Sequence, residues 1–496
     1  MAQCRTRHGI ITRKITACAI AKSRHIAAMR NFQTLVAALS LPCLLAACAP
    51  VGPDHETPEI NLPASFSQNG VTWKRATPAN QPKPQRWWRL YSDNNLNGLI
   101  DRALEHNQEI SAAAARLQEA RKLSEAARSR YFPAIDLSSG ADRSKFRPRS
   151  SASDRSGRET SFTLQMDLSY ELDAWGKVRR QVEAAGAREA AAAELLNALR
   201  LSIAAETART YWALRAVDAD RDLLTRAVAL REDALTLLRR QQQVGNISGL
   251  DLSRAETEVA TARTERVTLD RDRAELVNAL AVLTGSVPGT SPVRENPNLP
   301  SPPPIPGTTP GELLRQRPDI RASEHRLAAA NADIGVAEAM FYPTFTIGAY
   351  SGLDTAKLSE LSRVDSIVWS LGAGVVLPIT GQRFLRTQRD ALVAAHLAAS
   401  AEYRQNVLDA IRDVENALQA SAILAQSESE AHAASQSAAR TFELSRQRYQ
   451  AGLVSFLDLV DAERTRLETD RRLNAVRAER LAVSVALIQA LGGSWR

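Results

Sequence analysis

From Phe162 to Leu172 (FTLQMDLSYEL) apolar and polar residues alternate without a slip. This is the period-2 signature of a strand with two unlike faces. Trp369–Val375 (WSLGAGV) alternates in the same way, and weaker runs follow the Phe132-Pro133 and Tyr342-Pro343 pairs, around Ala134–Ala141 and Thr344–Leu353. The pattern predicts two β-hairpins. The period then changes. No proline occurs between 149 and 287 or after Pro378, and glycine is almost absent from Lys177 to Thr284 and from Gln382 to Leu491. Ala, Leu, Arg, Glu and Gln dominate there, all strong helix formers. Each stretch predicts two long helices with one break, at Gly245 and at Gly452. Lys177–Val244 alone spans roughly 100 Å at ~1.5 Å per residue, too long for an ordinary globular domain, so coiled-coil packing is expected. Alanines such as Ala204-Ala205 allow close helix approach.

Gly245–Glu256 (GNISGLDLSRAE) and Gly452–Glu463 (GLVSFLDLVDAE) are one motif written twice. Ile110-x-Ala112-x-x-x-Arg116-Leu117 likewise matches Ile320-x-Ala322-x-x-x-Arg326-Leu327, and Gly176 matches Gly381. A unit of about 200 residues is too long for a solenoid repeat of 20–50. The chain is therefore an internal duplication. The expected organisation is a signal segment at 1–47, an N-terminal Pro-rich segment at 48–95, a first repeat at 96–286, a Pro-rich linker at 287–310 and a second repeat at 311–496.

Ten or so alternating residues suit a tilted membrane-spanning strand; an ordinary half-buried hairpin is the competing reading. Four strands cannot close a barrel, for which about eight is the practical minimum, and lipid forbids an open sheet edge. Spanning strands would thus require several chains, eight strands in a dimer or twelve in a trimer. The pattern alone does not choose.

The net charge of +8 would suggest nucleic acid or an anionic surface. Seven basic and no acidic residues fall in 1–47, and removing them leaves +1, so no nucleic-acid partner is expected. All four cysteines also lie in the first 48 residues. Met29-Arg30 followed by the apolar run Phe32–Ala47 has the form of a secretory signal, with 1–28 as an upstream extension and Met29 as an alternative start. It ends in Leu45-Ala46-Ala47-Cys48, which resembles the bacterial lipobox. That resemblance implies cleavage before Cys48 and acylation there, making a lipoprotein anchored in outer-membrane lipid. Ala49 after the cysteine fits outer-membrane sorting.

Taken together the residues resemble the TolC/NodT-type outer-membrane efflux channels, in the lipidated branch serving resistance-nodulation-division pumps. The marks are Val51-Gly52-Pro53-Asp54, Trp87-Trp88 ahead of Leu99–Leu104, Arg315–Ile320, Ala328–Gly335 and Ala490–Trp495. The resemblance implies an α+β membrane channel: a homotrimer with a twelve-stranded transmembrane β-barrel, four strands per chain, and a long α-helical coiled-coil barrel in the periplasm. It implies a periplasmic adaptor (membrane fusion) protein and an inner-membrane pump as partners, and drugs or other small molecules as cargo. It also assigns Thr163, Gln165, Asp167, Ser169 and Glu171 to the lumen, with Phe162 or Tyr170 as interfacial aromatics. The alternatives are a duct for protein secretion or metal-ion efflux, or a lipid-anchored coiled-coil adaptor.

The breaks at Gly245 and Gly452 are tip turns. Ser248 with Asp251, and Ser455 with Asp458, fit capping boxes, and acids there offset the helix dipole. Asp461 and Arg464 lie one turn further in, only in the second copy; Arg254 and Thr257 take those places in the first. Residue types alone make Asp461 and Arg464 a surface i,i+3 pair. The resemblance instead makes Leu457 and Asp461 rings at a closed periplasmic gate, with Arg448, Tyr449 and Arg464 holding it shut and Tyr449 reaching towards Asp251. No enzyme, metal or cofactor is expected: the histidines are scattered without HExxH spacing, and neither GxSxG nor a P-loop occurs.

Overall fold

The structure, a computed structural model, describes residues 50–61, 86–146, 157–245, 247–290, 293–305 and 316–493. The expected signal segment and Cys48 lie outside the described residues. After a short 3-10 turn at Trp87–Tyr91, the elements run α1 (Asn94–His106), α2 (Gln108–Ser129), β1 (Ala134–Phe146), β2 (Gly157–Leu172), α3 (Lys177–Gln243) and α4 (Gly249–Leu283). The second half repeats the order with α5 (Pro318–Ala339), β3 (Thr344–Thr355), β4 (Ile367–Val376), α6 (Gln382–Gln450) and α7 (Phe456–Ala490). The helices α3 and α6 are 67 and 69 residues long. Each ends at the glycine expected to break it, and Gly245 and Gly452 adopt φ of 75° and 70°, where a Cβ would be strained. The strands outrun the alternating segments by several residues. Polar residues at their ends, such as Asp142 to Lys145 in β1, still pair through the backbone although they no longer alternate cleanly.

The chain divides into two compact units. One holds Met1–His55, Ser124–Ala185 and Ala329–His396; the other holds Glu56–Leu123, Gly186–Ala328 and Leu397–Arg496. Both repeats contribute to each.

The first unit is built on one antiparallel sheet of order β1-β2-β3-β4. Its register sorts the side chains by face. Ile135 pairs with Leu168 and Leu137 with Met166; Leu164 pairs with Leu353, Ala349 with Leu371 and Phe345 with Val375. One face is thus apolar across all four strands, and Leu137, Leu371 and Trp369 on it are exposed. The opposite face carries Asp136 against Asp167, Ser138 against Gln165, and Thr163 against Asp354. Ser138 donates to Asp167 at 3.0 Å. At the base of the strands Trp175 stacks on Tyr342 at 4.9 Å and donates its indole N–H to the Pro343 carbonyl. The Val51–Asp54 segment is held there by Arg180, which donates to the Val51 and Gly52 carbonyls and to the Asp54 carboxylate.

The second unit is helical. Trp87, Trp88 and Tyr91 pack with Leu96 and Ile100 of α1, Tyr211 and Trp212 of α3, and Leu481, Val485 and Ile488 of α7. The Tyr91 and Ser484 hydroxyls meet at 2.6 Å, so the buried phenol has a partner. Asp93 caps α1 by accepting from Asn95 and Leu96 N–H, and its other oxygen accepts from the Tyr211 hydroxyl. The Pro-rich linker is strapped to the helices. Asp218 accepts from Asn296 N–H and Arg273, while Arg215 donates to the Arg294 carbonyl at 2.9 Å. Among the described residues no helix is long and apolar enough to cross a membrane.

Candidate functional site

The turns between α3 and α4 and between α6 and α7 lie in the same unit, and a small apolar cluster joins them. Leu235 and Leu238 of α3 pack on Ala255 and Val259 of α4, with Phe456 of α7 against them. Phe456 also meets the Tyr449 ring at 6.0 Å. Both second helices start on a serine cap. Ser455 and Asp458 form the full reciprocal box: the Ser455 hydroxyl accepts from Asp458 N–H, and the Asp458 carboxylate accepts from Ser455 N–H at 2.8 Å. A further hydrogen bond from the Ser455 hydroxyl to the Asp458 carboxylate at 2.7 Å, and then that from Ser455 N–H, hold the Asp458 carboxyl below its usual value. The first copy is only half a box. Ser248 still accepts from Asp251 N–H, but the Asp251 carboxylate takes the Ser248 hydroxyl and faces Arg254 at 4.0 Å, without a bond to Ser248 N–H.

Leu457 and Asp461, one helical turn apart, are both exposed on α7. Asp461 makes no ion pair among the described residues. The i,i+3 pair expected with Arg464 is absent, because Arg464 turns instead to Glu258 of α4. The reason is electrostatic. Glu258 is a buried carboxylate whose charge needs a partner, whereas Asp461 is already solvated. Arg448 is exposed and unpaired among the described residues. The Tyr449 hydroxyl does not hydrogen-bond Asp251, but burial and then the Asp251 charge push its pKa up. Asp251, Arg254, Thr257, Leu457 and Arg464 line a groove of about 340 Å³ between the starts of α4 and α7.

Three residues at this site escaped sequence reasoning. Arg231 of α3 donates through Nε and Nη2 to the Glu463 carboxylate at 2.9 and 2.8 Å. Its Nη1 reaches the Glu258 carbonyl at 3.2 Å and the Glu258 carboxylate at 3.3 Å. Arg231, Glu258 and Glu463 are spread over 232 positions of sequence, so no local spacing brings them together. The available signal was asymmetry between the copies: at the repeat offset of the tip motif, Arg231 falls on Ala438.

The family described as Outer membrane efflux protein matches residues 99–286 and 309–493. The toluene efflux pump outer membrane protein TtgF of Pseudomonas putida is 29% identical over 463 residues, which is 92% of this chain and 96% of that protein. The outer membrane protein OprJ of Pseudomonas aeruginosa is 29% identical over 466 residues, covering 93% and 96%. Among solved structures, the outer-membrane channel OprN superposes with a TM-score of 0.82 at 28% identity, covering 90% of this chain and 99% of that one. With two matched blocks falling on the two copies of the duplicated pattern and this fold, the chain belongs to the outer membrane efflux protein family and is an outer-membrane exit duct that extends into the periplasm.

Proposed function

We propose that three copies of this chain form a passive trimeric duct, anchored by acylated Cys48, whose periplasmic gate is the pair of helix turns described above. The observation that carries this reading is the open sheet. β1 and β4 each have one unpaired edge, and beside them lies a continuous apolar face with Leu137, Trp369 and Leu371 exposed. Backbone groups at such edges must be satisfied within lipid, and joining β4 of one copy to β1 of the next satisfies them. The lengths of 13, 16, 12 and 10 residues suit spanning strands. Twelve strands then close around the face that carries Asp136, Thr163, Gln165 and Asp167. The channel performs no catalysis; its chemistry is selectivity and gating.

The gate follows from which groups remain unpartnered. Leu457 and Asp461 stand exposed on α7, and three copies of each, brought to one axis, make an apolar ring and an acidic ring. Arg464 holds the turns through Glu258, Arg448, Tyr449 and Asp251 hold them against a neighbouring copy, and Gly245, Gly452, Ser248, Ser455 and Asp458 shape them. A periplasmic adaptor and an inner-membrane resistance-nodulation-division pump open the gate, and drugs or other small molecules are the cargo. The name of the similar toluene efflux pump protein supports an apolar small-molecule cargo.

Single-channel recording of the reconstituted protein tests the gate. The double substitution Asp461→Ala with Arg464→Ala should raise conductance by weakening the closed state. Unchanged conductance removes the gate from these residues.

A further inference from the structure

Four charges close to the turns form a compact, electrically balanced cluster that bridges the two helical hairpins. Arg231 and Glu258 come from α3 and α4 of the first hairpin; Glu463 and Arg464 come from α7 of the second. The side chains of Arg231, Glu258 and Glu463 are only 10%, 11% and 9% exposed, and that of Arg464 is 58% exposed. Each guanidinium holds a carboxylate of the other hairpin, Arg231 on Glu463 and Arg464 on Glu258. Arg231 also sits on Glu258, so Glu258 is shared between the two arginines. Higher along the same seam Arg471 of α7 reaches Glu265 of α4 and Asp220 of α3, and Asn474 donates to Asp220.

Helical geometry relates this cluster to the exposed residues of α7. At 100° per residue, Glu463 lies about 200° around the helix from Asp461. It is therefore the tether on the back of the turn that presents Asp461 and Leu457. Among the described residues Arg464 is the only other guanidinium on this pair of carboxylates. If Arg231 were lost, two buried acids would compete for it, and Arg464 could not hold Glu258 and neutralise Glu463 at once.

We propose that Arg231 is a positioning residue of the gate: by neutralising Glu463 it reserves Arg464 for Glu258 and so pins the start of α7 to the first hairpin. This rests on the reading of Asp461 and Arg464 as gate residues. Movement of α7 away from α3 and α4 then breaks both cross-hairpin pairs together, Arg231 with Glu463 and Arg464 with Glu258, which makes the closed state a discrete latch. Arginine is specific to the task, because its planar fork contacts Glu463 twice and Glu258 twice.

The test uses the full chain in planar bilayers, with the Asp461→Ala/Arg464→Ala protein as reference. Arg231→Ala should raise the frequency of channel opening several-fold. Arg231→Lys should fall between it and the wild type, since it keeps the charge but loses the fork. Adding Arg231→Ala to Arg464→Ala should raise opening by less than the product of the two single effects, because the residue it positions is already gone and only its own bond to Glu463 is left to lose. If the reference protein opens more readily but Arg231→Ala and Arg231→Lys both behave as wild type, the Arg231 assignment is wrong while the gate stands. If the reference protein is itself unchanged, the gate reading fails and takes the latch with it. A lowered thermal stability with unaltered opening frequency makes Arg231 merely structural and also overturns the proposal. Should Arg231→Ala not assemble, the lysine variant decides the matter by the same readout.

Discussion

Arg464 donates to Glu258 across 206 positions of sequence, and the bond joins the second helical hairpin to the first. It leaves Asp461, one turn away on the same helix, without a counter-ion among the described residues. An acid that stays exposed while its arginine neighbour serves a buried carboxylate is available to a partner chain. The same relationship distinguishes the two tips although they share their glycine, serine and aspartate. The shared residues close the turns, and the unshared ones link the hairpins.

The two faces of the sheet should respond differently to charge. Leu371→Lys puts an ammonium on the apolar face, at a cost of about 2–4 kcal/mol near the bilayer midplane. It should sharply reduce the heat-resistant oligomer recovered from outer membranes. Asp167→Asn acts on the opposite face, where Asp136 lies directly across the ladder. It removes one of two facing like charges and keeps an acceptor for Ser138. Oligomer yield should be unchanged, and the reversal potential in a salt gradient should shift away from cations.

Asp218 should be among the most sensitive positions of the helical unit. Its side chain and that of Arg215 are each 1% exposed, and they lie 3.2 Å apart. Asp218 also accepts from Arg273 and from Asn296 N–H. Asp218→Ala leaves Arg215 buried without its carboxylate and frees the linker, a loss of about 3–5 kcal/mol on the scale of broken buried pairs. Thermal unfolding of the detergent-solubilised protein should show a clear fall in midpoint, larger than that for Asp222→Ala, whose ion pair with Arg226 is exposed.

Glu428 gives a pH dependence with a definite sign. Burial works against its charge, but hydrogen bonds from Arg480 and Arg477 outweigh it and hold its carboxyl below the usual value. A carboxylate depressed in the folded state contributes stability above its unfolded pKa. That contribution is lost as pH falls through the folded value. Glu428→Gln should therefore lower stability at neutral pH and flatten the decline on acidification. Melting curves at several pH values between neutrality and the lower carboxylate range check this; parallel curves for the variant and wild type would contradict it.

Much of this protein was settled by relations between near neighbours in sequence. The alternation in Phe162–Leu172 and Trp369–Val375 put the right residues on the right faces, because a strand reverses its side chain at every step. Gly245 and Gly452 marked the helix breaks, and Ser455 with Asp458 marked a cap, because these devices act over three or four residues. The tertiary structure decided who meets whom. Asp251 fits a capping box by spacing, yet its carboxylate takes only the Ser248 hydroxyl and faces Arg254, without the backbone N–H bond that Asp458 makes. Arg464 has an acid at i−3, yet it pairs with Glu258. Arg231 had no visible role until α3 and α7 were side by side. Spacing measures proximity along the chain, but an ion pair goes where burial has left a charge most in need of a partner, and burial exists only once the hairpins have packed.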